Sequence, residues 1–172
     1  MATKNKVAFP PILDACCGGR MFYFDKHDPR VIGQDIRKVP MRKIESNGSY
    51  FEVRPDVIGD FRDIKFPDNT FSCVVFDPPH LRCGKTSFMY YKYGTLDATW
   101  ESDLTMGFSE CFRVLKPGGT LIFKWSDSFK PLGTVLALAR VSPVLSHSTT
   151  SRSGKNKTHF VLFVKPPEIV KC

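Results

Sequence analysis

The sequence predicts an α/β protein built on a doubly wound, mostly parallel sheet that ends in an antiparallel C-terminal hairpin. Three observations carry this. Short, continuous apolar runs recur along the chain and end in an acid, a glycine pair or a proline pair. Continuous rather than alternating apolarity suits parallel strands covered on both faces. One long amphipathic stripe lies between the last two such runs, and two strand-like segments around a polar turn follow. Strand–helix alternation with a terminal hairpin is the pattern of an open α/β sheet with one antiparallel edge.

Taken in order, Ile12 to Cys16 reads as a buried strand running into Gly18-Gly19, and Val31 to Asp35 as a second that ends in an acid. Asp56 to Asp60 reads as a third, again closed by an acid. Phe71 to Asp77 is the fourth, stopped by Pro78-Pro79, because proline cannot continue a central ladder. A polar loop follows, Leu81 to Ala98. Leu104, Phe108, Cys111, Phe112 and Leu115 then fall at i, i+4, i+7, i+8 and i+11, which predicts a helix from about Thr99. Pro117-Gly118-Gly119 punctuates its end. Thr120 to Trp125 is the fifth strand and Pro131 to Arg140 a short helix. Val144 to Ser148 and His159 to Lys165 make the hairpin, around a turn that carries Arg152, Lys155 and Lys157.

With 172 residues the chain is read as one domain, 1–172, with a short N-terminal tail (1–10) and a lid loop at about 80–100. Hydrophobic residues at 42% and charged residues at 24% exclude extended disorder. No apolar run is long enough to span a bilayer, and Met1 to Val7 lacks a secretory pattern, so no membrane partner is expected and the location is read as cytoplasmic. Cys16, Cys17, Cys73, Cys83, Cys111 and Cys172 show no zinc-knuckle spacing, which predicts reduced thiols and no metal. The net charge of +8 favours a polyanionic partner such as nucleic acid.

Ligands of open α/β sheets bind beyond the carboxyl ends of the strands. Those ends carry Asp14 with Gly18-Gly19, then Asp35, then Asp60, then Asp77-Pro78-Pro79-His80. Any one acid is explained by capping a turn. Four in series are not, since each is a costly charge unless a polar group meets it. After Gly18-Gly19, position 21 is Met, so the dinucleotide fingerprint fails, and the Gly84-Lys85-Thr86 string lacks the upstream glycine of a phosphate loop.

From Pro11 to Lys165 the chain resembles the class I S-adenosylmethionine-dependent methyltransferases. Ile12-Leu13-Asp14-Ala15-Cys16-Cys17-Gly18-Gly19 is similar to their first motif, and Asp35 lies 21 positions after Asp14, where the family carries the acid for the ribose hydroxyls. Gly59-Asp60-Phe61 looks like the motif whose acid and following amide meet adenine, and Lys116-Pro117-Gly118-Gly119 like the turn before the fifth strand. The resemblance implies a Rossmann-like, seven-stranded-type fold and S-adenosyl-L-methionine as cofactor. It implies a cofactor site at Asp14, Cys16, Gly18, Asp35, Asp60, Phe61 and Asp77. Cys16 and Arg20 stand where the family usually has glycine; Arg20 is a candidate partner for the methionyl carboxylate. Only eleven residues precede Ile12, too few for the family's upstream helix.

Asp77-Pro78-Pro79-His80 resembles the Asp-Pro-Pro-aromatic motif of methyltransferases that modify exocyclic amino groups of adenine or cytosine. It implies Asp77, Pro78, Pro79 and His80 as the catalytic set. An aromatic amine is a poor nucleophile because its lone pair is delocalised. Accepting its two N–H groups on the Asp77 carboxylate and the Pro78 carbonyl turns that lone pair toward the methyl donor, and alignment then supplies much of the acceleration. The family's fourth residue stacks on a flipped base; here it is His80. The following loop interleaves Arg82, Lys85 and Lys92 with Phe88, Tyr90, Tyr91, Tyr93 and Trp100. That pattern suits phosphate contact with base stacking, or equally a packed lid. Arg37, Lys38, Arg42 and Lys43 add a second basic run. The expected activity is methyl transfer to a nucleobase amine, adenine favoured, in DNA or RNA, with a partner subunit as one source of target recognition. Transfer to a small molecule or protein side chain, and a non-catalytic binding module, are the alternatives.

Overall fold

A computed structural model of the chain describes residues 9–21, 23–44, 48–151 and 154–167. The elements run β1 (Ile12–Asp14), β2 (Val31–Asp35), β3 (Val39–Lys43), β4 (Tyr50–Val53), β5 (Val57–Ile58), β6 (Phe71–Phe76), α1 (Phe88–Tyr93), α2 (Trp100–Val114), β7 (Leu115–Ser126), α3 (Leu132–Leu136), β8 (Leu145–Thr150) and β9 (Lys157–Val164). Seven strands form one sheet in the order β5-β2-β1-β6-β7-β9-β8. The first five are parallel, β9 is antiparallel to β7, and β8 is antiparallel to β9. The chain winds outward from β1 to β2 and β5, then returns to the other side of β1 with β6 and β7. The switch point therefore lies between β1 and β6, where open α/β sheets bind ligands.

The core lies on one face of the sheet. Leu13, Val74, Phe76, Leu121, Phe123, Trp125, Val161 and Phe163 are buried there, and α2 covers them with Trp100, Leu104, Phe108 and Cys111. This is the amphipathic stripe read from the sequence, extended one turn toward the N-terminus by Trp100. Each of these large side chains contributes roughly 1.5–3 kcal/mol on burial. Aromatic rings dominate: Phe108 meets Phe123 at 4.9 Å and Phe76 at 5.4 Å between centroids. Val135 of α3 joins the same cluster. Glu101 and Asp103 in the first turn of α2 and Arg113 in its last turn complement the helix dipole.

Several connections differ from the expectation. β1 and β5 are shorter than their apolar runs, because the chain turns at Ala15 and Gly59 to form the site. Lys116–Gly119 bulges out of β7: Phe71 pairs with Leu115, yet Cys73 pairs with Thr120. Gly118 has φ +74°, which glycine adopts without strain. The basic run after Asp35 leads into β3, which holds its Arg42 and Lys43 and is the first strand of a small antiparallel β3–β4 pair with its own core of Val39, Phe51 and Val53. The loop after Pro79 contains α1, capped by Ser87, whose Oγ accepts from Tyr90 N. The expected tail falls on residues 1–10, of which 9 and 10 are described; Arg152 and Cys172 also lie outside the described residues. Among the described residues no helix is long and apolar enough to cross a membrane.

Candidate active site

A cleft of about 240 Å³ opens at the switch point, between the loop after β1, the end of β2 and the Asp77–His80 corner after β6. Cys16, Gly18, Asp35, Phe61, Asp77, Pro78, Pro79 and His80 all line it. Ile36, Arg37, Tyr93 and Lys124, which the motifs do not name, line it as well. Parallel pairing brings the parts together: β1 lies between β2 and β6, with Asp14 opposite Gly33 and Val75, so neighbouring strands deliver their terminal acids to one place.

The acids differ in what they meet. Asp35 is buried and accepts from Gly18 N at 2.9 Å, Arg37 N at 2.9 Å, and the Arg37 guanidinium at 3.0 and 3.1 Å. Arg37 also donates to the Tyr90 and Tyr91 carbonyls of α1, at 3.3 Å each. Asp14 lies beneath the cleft floor and is not among its lining residues. It accepts from Tyr23 Oη at 2.9 Å and from Cys16 N at 3.3 Å. Burial pushes its carboxyl up to about 7, against the Tyr23 hydrogen bond, with the nearby Asp77 charge adding to the rise. The Cys16 thiol is held well above its ordinary value by burial and by the fields of Asp14, Asp77 and Asp35. Gly18 has φ +49° and open space where a side chain would start, apart from Arg37 Nη2 at 4.0 Å.

Asp60 is placed elsewhere. Its carboxylate turns out of the cleft into a forked pair with Arg62, which also bonds Asp103 of α2 at 3.0 Å. The neighbouring Gly59 and Phe61 keep their place in the lining. Arg20 likewise points away, to Asp56 and the Lys26 carbonyl, and packs over Gly33.

At the corner after β6, Lys124 Nζ donates to Asp77 Oδ2 at 2.5 Å. Asp77 Oδ1 is buried and has no hydrogen-bond partner among the described residues; it lies 3.8 Å from His80 Nδ1. His80 Nδ1 lies 3.3 Å from the Pro78 carbonyl, and its ring sits 6.2 Å from both Tyr93 and Trp125. Burial depresses the His80 pKa below its ordinary value; the Asp77 charge opposes this and the Lys124 charge adds to it, and the net shift favours the neutral ring. Sequence reasoning missed Lys124, although a lone charge in the apolar run Thr120 to Trp125, on the strand beside Asp77, was the available signal.

No family model and no curated protein matches this chain. Solved structures do match its fold. A protein of Pyrococcus horikoshii OT3 is 21% identical, with 90% of this chain and 81% of that one covered and a TM-score of 0.59. A structure described as a SAM-dependent methyltransferase, from Methanosarcina mazei, is 15% identical over 91% and 92% of the two chains, TM-score 0.55. The N-methyltransferase NodS of Bradyrhizobium japonicum WM9, solved with S-adenosyl-L-homocysteine, is 16% identical over 90% and 76%, TM-score 0.55. The chain has the Rossmann-like α/β fold of these methyltransferases.

Proposed function

We propose that this protein is an S-adenosyl-L-methionine-dependent methyltransferase whose acceptor is the exocyclic amino group of a nucleobase, adenine favoured, in DNA or RNA. The observation that carries the reading is the Asp77–His80 corner, whose residues line the switch-point cleft: it holds a buried carboxylate oxygen with no hydrogen-bond partner among the described residues, next to the Pro78 carbonyl.

The residues present fit that cofactor. The glycine turn at Gly18 leaves room for close approach, the Asp77 carboxylate has one oxygen to spare, and the Asp35 carboxylate, held by Gly18 N and Arg37, lines the cleft. Asp35 is the candidate for the ribose hydroxyls, with Gly18, Ile36 and Phe61 around the nucleoside, Cys16 in the floor and Asp14 beneath it. When bound, the cofactor supplies an activated methyl on a cationic sulfur. Asp77 Oδ1 and the Pro78 carbonyl receive the two N–H groups of the amine and orient its lone pair. His80, neutral and held between Tyr93 and Trp125, closes one wall, and the lid loop excludes water. Asp60 has no part in this unless Arg62 releases it.

The test is direct. Calorimetry should show binding of S-adenosylhomocysteine, and labelled methyl from the cofactor should pass to single-stranded DNA or RNA. Asp77→Ala should keep product affinity within a few-fold and lose about 100-fold or more in kcat. Absence of any affinity for the cofactor or its product overturns the reading.

A further inference from the structure

We infer that Lys124 is a positioning and specificity-determining residue, which ties down one oxygen of Asp77 and restricts the acceptor to a neutral N–H donor. The inference rests on the reading of Asp77 as the acceptor's partner. Lys124 projects from β7 into the same cleft, and its ammonium and the Asp77 carboxylate are both largely buried, with side-chain exposures of 19% and 18%. One ammonium on Oδ2 leaves Oδ1 as the carboxylate oxygen without a partner. An incoming N–H donor therefore has one defined acceptor rather than two interchangeable ones, and the carboxylate plane cannot swing.

The pair has a second consequence. A lone carboxylate at the end of β6 would attract any ammonium. Paired with Lys124 its charge is offset, and a cation already stands on Oδ2, beside the oxygen left for the acceptor. Like charges in one cleft repel, and the paired carboxylate is a weaker base for the proton that an alkylammonium must lose before its nitrogen can take the methyl, so such acceptors are disfavoured. A nucleobase amine carries no charge and keeps its hydrogen bond to Oδ1. His80, neutral and 3.8 Å from the same oxygen, does not alter this balance.

Two measurements test this. In the ligand-free protein, acetic anhydride footprinting should find Lys124 slower to acetylate than exposed Lys155, and faster in Asp77→Asn than in the parent. Equal rates in parent and Asp77→Asn overturn the tie. Methyl transfer is then compared for parent, Lys124→Met and Lys124→Arg, on single-stranded DNA, single-stranded RNA and cadaverine, with S-adenosylhomocysteine affinity as the control for folding. Lys124→Met should lose about 100-fold in kcat on nucleic acid with little change in KM, Lys124→Arg should recover most of it, and cadaverine turnover should rise about tenfold in Lys124→Met alone. Cadaverine turnover no higher in Lys124→Met than in the parent overturns the inference, whatever the nucleic-acid result. Failure of the parent to label DNA or RNA overturns the acceptor reading instead, and the cadaverine comparison still decides the role of Lys124.

Discussion

Asp14 shows what a single buried carboxyl does to the stability of this molecule. Its folded-state pKa is raised to about 7 from an ordinary value of 3.8, by burial before all else. Between those two values the folded chain holds a proton that the unfolded chain has released. Asp14 therefore contributes most to stability below pH 4, less as pH rises toward 7, and changes nothing further above it. At roughly 1.36 kcal/mol per unit, the full fall amounts to about 4 kcal/mol. Asp14→Asn keeps an acceptor for Tyr23 and has no charge to bury. Urea unfolding from pH 4 to 8 should show parent and variant converging at the acid end, with the variant the more stable at pH 8 and lacking the slope. A difference between parent and variant that stays constant from pH 4 to 8 would contradict this assignment. The sequence made Asp14 visible as an acid at a strand end, but not its protonation, which comes from burial in the assembled sheet, with Asp77 adding to it and the Tyr23 hydrogen bond opposing it. The same holds for Asp60, whose forked pair with Arg62 only two residues on competes with the cleft in a way spacing does not reveal.

At the scale of elements, α2 and the lid carry the site's geometry. Gly107 of α2 faces the β6 core, and a Cβ there would lie 2.6 Å from Phe76 Cζ and 2.7 Å from Phe61 Cδ2. Alanine would gain up to about 1 kcal/mol of helix propensity. The overlap with fully buried Phe76 outweighs that gain, at about 1–3 kcal/mol. Gly107→Ala should therefore be destabilised in thermal unfolding and should weaken cofactor binding, because Phe61 lines the cleft. On the other side, Arg37 ties Asp35 to the last carbonyls of α1. Its three hydrogen bonds to Asp35, with that from Gly18 N, occupy the carboxylate that a ribose would need. Arg37→Gln should speed amide exchange in α1 and tighten S-adenosylhomocysteine binding by about fivefold, the worth of an ion pair near 1 kcal/mol. Unchanged exchange in α1 would refute the tie. The sequence announced α2 because fifteen residues hold a clear apolar stripe. It did not announce α1, which is six residues long with none buried, nor the β3–β4 pair, whose β3 carries a proline and buries only Val39.

For the whole molecule, register decides where the positive charge goes. β7 runs past the level of Asp77, since Phe76 pairs with Phe123 while β7 continues to Ser126. Ser126 pairs with Thr158 and Thr150 with Lys157, so the tip of the β8–β9 hairpin stands at the same end of the sheet as the cleft. His159 anchors it there, between Ser148 Oγ at 2.7 Å and Asp127 Oδ2 at 2.9 Å. The tip carries exposed Lys155 and Lys157, and Lys85 of the lid loop is exposed as well. A net charge of +8 alone says nothing about direction; the parallel register and the antiparallel return of β9 place part of it beside the proposed acceptor corner. If that end binds single-stranded nucleic acid, each lysine that meets a phosphate adds about 0.7 to the slope of log affinity against log salt. The double variant Lys155→Gln, Lys157→Gln should bind more weakly at low salt and lower the slope by about 1.4, while leaving cofactor affinity untouched. Fluorescence anisotropy with a labelled oligonucleotide across a salt series reads this directly, and an unchanged slope would remove the hairpin tip from the nucleic-acid surface.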